Sequence, residues 1–139
     1  EDEVGKYAQY RFFAYVSSMY HKCEVEINEA IPGKSGKNHK IPIAVKLNGM
    51  YIAVGFNKPN GHTVSKRDII KFYEIVNDVK NGEHGTMLVD AIFGSSSGFK
   101  GEALVELEKL SKIRDADPEN QLNFKTANFE NRIYSVTKC

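Results

Sequence analysis

Ile41-Pro42-Ile43-Ala44-Val45-Lys46-Leu47-Asn48-Gly49-Met50-Tyr51-Ile52-Ala53-Val54-Gly55-Phe56 is the stretch on which the fold turns. Two β-type runs, Ile41–Leu47 and Met50–Phe56, flank Asn48-Gly49. Asn and Gly both tolerate the positive φ of a tight type I′ turn, so this dipeptide between such runs predicts a β-hairpin. Two antiparallel neighbours in one sheet follow.

On the N-terminal side, residues 3–20 predict a helix. Val4, Tyr7, Ala8, Phe12, Tyr15, Val16 and Met19 recur at three- and four-residue spacing and form one apolar stripe. Cys23–Ile27 alternates with Glu24 and Glu26, as a half-buried strand does. Pro32–Asn38 reads as a turn or loop by composition. On the C-terminal side, Ser65 and Asp68 resemble a capping box with Asp in place of Glu. The helix they open carries Ile69, Phe72, Tyr73, Val76 and Val79 on one side and stops at Asn81-Gly82. Thr86–Phe93 is almost continuously apolar between Gly85 and Gly94, which predicts a strand covered on both faces. A second helix is expected over 99–113, with Ala103, Leu104, Leu107 and Leu110 inward.

Helix, strand, hairpin, helix, strand, helix is the order of an α/β protein: a mixed central sheet flanked by helices on both faces. At 139 residues the chain is one domain, with a core over 1–114. Residues 115–139 form a polar C-terminal extension of that domain, with a candidate edge strand at Arg132–Val136.

Bulk charge is uninformative, since 19 Lys and Arg face 18 Asp and Glu. Its distribution says more. Lys34, Lys37, Lys40, Lys46, Lys58, Lys66, Arg67 and Lys71 follow one another, with His39 among them and a single acid, Asp68. Such a stretch suits a phosphate-facing surface or a plain solvated face. Cys23 and Cys139 belong to no Cys-rich framework and no metal-site spacing, which favours a reducing, intracellular setting such as the cytoplasm. No apolar stretch approaches the ~20 residues that span a bilayer, so no membrane partner is expected. The chain opens Glu1-Asp2-Glu3 without Met, as a piece trimmed from a longer protein would.

Local motifs point away from several chemistries. Gly94-Ser95-Ser96-Ser97-Gly98 sits between strand and helix but matches neither phosphate-loop pattern, and reads as a small-residue connector. His21, His39, His62 and His84 lie at element ends or in loops, none four residues from another, and make no recognisable hydrolase set. Asp90, inside its apolar run, reads as a hydrogen-bonded structural carboxylate near the C-terminal edge of the sheet.

Five segments carry a family resemblance: Gly5-Lys6-Tyr7-Ala8-Gln9, His39-Lys40-Ile41-Pro42, Tyr51–Asn57, Val64–Tyr73, and Leu88–Ile92 with Gly98-Phe99 and Ala103. Over residues 5–113 the chain resembles the restriction-endonuclease-like (PD-(D/E)XK) superfamily, nearest its Mrr-type and Holliday-junction-resolvase-like members. In active members acids hold Mg²⁺ and a Lys positions the attacking water; a hard cation needs such carboxylate oxygens. The matching positions here are Gln9, Pro42, Gly55 and Asn57, none of which supplies a carboxylate or an ammonium. The resemblance therefore implies a catalytically silent nuclease fold without a cofactor. Its expected partner is nucleic acid, held by a basic rim of Lys34, Lys37, His39, Lys40, Lys58, Lys66 and Arg67. Two alternatives stand beside it. One is a protein-interaction or scaffold domain, including self-association. The other is a live Mg²⁺-dependent endonuclease whose ligands have moved, drawing on Glu24, Glu26, Asp90 or Lys58.

Overall fold

Asn48 and Gly49 take φ of 54° and 81°, as a type I′ turn demands, and they join Leu47 to its partner Met50. This turn links β2 (Asn38–Leu47) to β3 (Met50–Asn57) in a computed structural model that describes residues 2–58, 62–95, 97–116 and 122–128. The other elements are α1 (Asp2–Met19), β1 (Glu24–Pro32), α2 (Lys66–Lys80), β4 (Asp90–Ser95), α3 (Gly101–Ala116) and β5 (Asn123–Asn128).

The five strands form one sheet in the order β1-β2-β3-β4-β5. β1, β2 and β3 pair antiparallel, whereas β4 and β5 join by parallel pairing. Each parallel step needs a crossover, and α2 and α3 supply them. Successive crossovers of one hand, advancing in one direction, put their helices on the same face. Phe72, Val76, Ala103 and Leu107 accordingly share a core with Val54, Ala91 and Phe93 of the sheet. The opposite face is covered by α1, whose Phe12 and Val16 pack with Ile43, Val45, Ala53 and Ile92. The protein is thus an α/β fold with a mixed sheet between helices.

Alternation is interrupted twice, and both interruptions matter for the surface. Val45 pairs with Ala53 but Lys46 with Tyr51, leaving Ile52 as the extra residue of a bulge. Near the other end of β2, the pairs Ile27↔Ile43 and Glu29↔Ile41 flank a position where Asn28, at φ 54°, stands opposite Pro42. Proline has no N–H for the ladder, and Asn is among the few residues that accept a left-handed backbone. Across this point the faces exchange. Ile43 and Val25 belong to the α1 side, but Ile41 and Ile31 belong to the α2 side. The exchange turns His39 toward α2.

Several boundaries differ from the sequence reading. β1 runs on to Pro32, and the 32–38 loop shortens to a turn across 33–37, where the Gly33 N–H donates to the Lys37 carbonyl at 2.9 Å. The apolar run at Thr86 does not begin a strand. Extended pairing starts at Asp90, and Met87 and Val89 are exposed around a buried Leu88. Leu104 faces solvent, because Ala103, Leu107 and Leu110 already fill the inner stripe of α3. The edge strand of the C-terminal extension lies at Asn123–Asn128, seating Leu122 and Ala127 in the cores. Arg132–Val136 falls outside the described residues. The capping box is formed as expected: the Asp68 N–H donates to Ser65 Oγ, and the Ser65 N–H returns a bond to Asp68 Oδ2. Cys23 is a free thiol.

Candidate nucleic-acid interface

Gln9, the first of the four family positions, turns its amide to the sheet. Its Nε2 donates to Asn28 Oδ1 at 3.3 Å and to the Pro42 carbonyl at 3.4 Å. Gln9 and Pro42 are therefore neighbours, but through a backbone oxygen and an amide rather than through carboxylates. Gly55 has no room for a larger group. A Cβ there would lie 2.8 Å from the tip of the fully buried Phe12 ring and 3.3 Å from Ile43 Cβ. Pro42 and Asn57 line a cavity on the α2 side instead. A divalent cation needs converging oxygen ligands, and these four positions do not offer them. Among the described residues no group of three or more His, Cys, Asp or Glu is arranged to hold a metal.

The surface beside these positions is a groove between α2 and the first half of β2. One cavity, of about 270 Å³, has an apolar floor of Pro42, Phe56, Phe72, Ile75 and Phe93, with Lys40, Asn57, Asp68 and Lys71 at its edge. A second, of about 430 Å³, adjoins it through Lys71 and Ile75 and is lined by Ser35, Lys37, His39, Glu74 and Asp78. From Arg67 to Asp78 the flank on α2 extends for ~16 Å at helical rise. The capping box fixes where α2 starts and so where Lys66 and Arg67 stand.

The turn across 33–37 is fastened to α2 by one carboxylate. Asp78 accepts from the Ser35 N–H at 2.9 Å and the Ser35 hydroxyl at 2.6 Å, and its Oδ2 lies 2.7 Å from His39 Nε2. Its carbonyl accepts from the Lys34 N–H at 2.9 Å. A Cβ on Gly33 would collide with Asp78 Oδ2 at 2.1 Å, so glycine is required for this approach. The Ser35 hydroxyl bond first, then His39 and the Ser35 amide, hold the Asp78 carboxyl down at about 2. At the other end of α2, Lys58 reaches Asp68 at 3.1 Å. Burial opposes ionisation of Asp68, but the Ser65 amide and the Lys58 ammonium outweigh it and keep the carboxyl below its usual range.

These pairings sort the expected rim. Lys58 and His39 are engaged by acids and serve the scaffold. Lys34, Lys37, Lys40, Lys66 and Arg67, joined by Lys71, are exposed and make no ion pair among the described residues. Of the groove's acids, Asp68 and Asp78 are already occupied, whereas the exposed Glu74 makes no ion pair among the described residues. Lys46 lies away from the groove, over the Tyr51 ring and 3.4 Å from Glu29.

A crystal structure of a protein of unknown function, AF1548, shares this fold. It superposes with a TM-score of 0.55 at 14% identity, covering 87% of this chain and 58% of that one. The chain therefore spans less than two-thirds of the length of that neighbour. No family model matches the sequence, and no curated protein does.

The other acids named as ligand candidates are structurally engaged or apart. Asp90 opens β4 rather than sitting near the strand's C-terminal edge. It accepts from the Tyr20 hydroxyl and lies 3.4 Å from both Lys125 Nζ and Asn123 Nδ2. Burial, then this carboxylate, raises the Tyr20 phenol above its ordinary range. The connector after β4 is closed by Ser95, whose hydroxyl donates to the Gly98 carbonyl at 3.0 Å and accepts from the Ser97 N–H. Sequence reading missed Asp78 as the organiser of the rim and Phe56 as part of a cavity floor. Asp78 meets partners about forty residues away, and nothing local to Asn77-Asp78-Val79 signals that contact.

Proposed function

We propose that this domain is a catalytically silent nuclease fold that binds nucleic acid through the rim of the α2 groove. The observation that carries the reading is charge accounting. Exposed Lys37, Lys40 and Lys71 are among the residues lining two adjoining cavities along α2, Lys34, Lys66 and Arg67 are exposed on the same turn and helix, and two of the groove's three acids, Asp68 and Asp78, are already paired. Cations without an ion-pair partner can meet phosphates without first breaking one. The resemblance to metal-dependent nucleases suggests why a phosphate-facing surface would persist, and the crowding of Gly55 by Phe12 supports the loss of metal chemistry.

Phosphate contacts act by counterion release, so affinity should fall steeply with salt and show little sequence preference. The domain is expected to bind labelled DNA or RNA at low salt with a Kd on the order of micromolar. Replacing Lys34, Lys37, Lys40, Lys66 and Arg67 by Ser should weaken binding and flatten the salt slope without lowering stability much, because exposed charges contribute little to folding. Absence of binding to duplex, junction and single strands at low salt would transfer the case to the scaffold reading.

A further inference from the structure

Arg67, Lys71, Glu74 and Asp78 recur at four- and three-residue spacing, so their side chains share one face of α2. The contacts of Asp78 with Ser35 and His39 show that this face meets the 33–37 turn and the start of β2. The cavity of about 430 Å³ lies along it, with Lys71, Glu74 and Asp78 on the helix side and His39 opposite. Its volume falls in the ~300–1,000 Å³ range of small-ligand sites.

Several polar groups of this cavity are spent on one another. The Ser35 hydroxyl donates to Asp78 and accepts from the Lys37 N–H at 3.3 Å. Asp78 is a carboxylate, its carboxyl held low by that hydroxyl and then by His39. A carboxylate only accepts, so His39 Nε2 carries the proton of their contact. In the neutral ring Nδ1 is then an acceptor, and it makes no hydrogen bond among the described residues. Glu74 is a second acceptor, exposed and without a hydrogen bond or ion pair among the described residues. Both share the cavity with Lys71, which makes no ion pair among the described residues either.

A free carboxylate in a phosphate-facing groove repels the strand the groove attracts. That repulsion is offset only by a ligand that brings a hydrogen-bond donor beside its negative charge. The backbone of RNA has such a donor, the ribose 2′-hydroxyl next to the 3′-phosphate, and DNA lacks it. Lys71 and Glu74 stand ~4.5 Å apart along the helix axis at helical rise, within reach of one nucleotide. We propose that this cavity reads the sugar of the strand: Glu74 accepts from a ribose 2′-hydroxyl while Lys71 holds the adjoining phosphate. His39 Nδ1, on the opposite wall, offers the sugar a further acceptor. The assignment rests on the nucleic-acid reading above and narrows it to RNA.

The test compares three fluorescein-labelled twelve-residue strands by anisotropy at low salt: oligouridylate, oligo-2′-deoxyuridylate and oligo-2′-O-methyluridylate. Bases and charge are the same, and only the ribose strand carries the donor. A hydrogen bond to a charged acceptor is expected to give that strand about five-fold or more tighter binding than either of the others. Glu74→Ala, at an exposed helical position that suits alanine, should tighten the deoxy strand by removing a repulsive charge and should lose the ribose preference. Glu74→Gln, which keeps an acceptor without the charge, should retain part of that preference. Circular dichroism melts confirm folding of each variant. Equal affinity of the native domain for all three strands, or a ribose preference that survives Glu74→Ala, would overturn the sugar reading and leave the cationic rim standing. Failure of all three strands to bind at low salt would overturn both.

Discussion

Gly55→Ala is the smallest change that tests why the nuclease-like positions are empty. The added Cβ would lie 2.8 and 2.9 Å from two atoms of the Phe12 ring, against the ~3.5 Å at which carbon contacts become favourable. The ring tip could relieve this cheaply on a surface, but Phe12 is fully buried and packs with Val16, Ile43 and Ile92. Overpacking of this kind costs about 1–3 kcal/mol. Alanine also narrows the unfolded ensemble, which offsets roughly 0.4–1 kcal/mol where the backbone is compatible. The net loss is about 1–2 kcal/mol, and for a domain of this length that lowers Tm by about 3–8 °C. Differential scanning calorimetry measures it directly. Phe12→Leu in the Gly55→Ala background should recover part of the loss, with a coupling of at least ~0.5 kcal/mol in the double-mutant cycle. An unchanged or raised Tm for Gly55→Ala, or strictly additive effects, would refute the argument that Phe12 occupies the space a metal-binding Glu would need.

Three further outcomes are expected. Mn²⁺ or Mg²⁺ at submillimolar concentration should give no saturable rise in Tm, since linkage requires a site; a saturable rise would restore the active-nuclease alternative. Asp78 has its carboxyl lowered from 3.8 to about 2, so its contribution is present above about pH 4 and fades as pH falls toward 2. Melting curves from pH 7 to pH 2 should therefore decline less steeply over that window for Asp78→Asn than for the native chain, and parallel curves would contradict the fastening role. Tyr20→Phe removes a donor from the nearly buried Asp90. Urea unfolding should show a loss of about 1–2 kcal/mol, and an unmoved midpoint would mean that Lys125 and Asn123 satisfy the carboxylate alone.

Local chemistry determined much of this protein from sequence alone. Asn48-Gly49 specifies its turn because two successive positive φ angles suit few other residue pairs, and Ser65 with Asp68 specifies the start of α2 because both groups act within one helical turn. The buried Phe12 and Val16 of α1, the stripe of α2 and the doubly covered β4 follow from side-chain period, whereas Met19, read as part of the α1 stripe, is exposed at the helix end. The α/β class follows from their order. Tertiary structure decided what period cannot encode. The exchange of faces at Asn28 and Pro42 sends His39 to Asp78, although strict alternation would place it with Ile43 on the α1 side. Ile43 and Gly55 face each other across the β2–β3 pair beneath Phe12. The apolar run from Thr86 became a strand only from Asp90, where β3 and β5 offer partners on both sides. The basic residues were legible as a list, but not as free or engaged: Lys58 and His39 are claimed by acids on α2, and Lys71 is left exposed at the edge of a groove. Such a distinction rests on distances between residues far apart in the chain, and only the folded arrangement sets them.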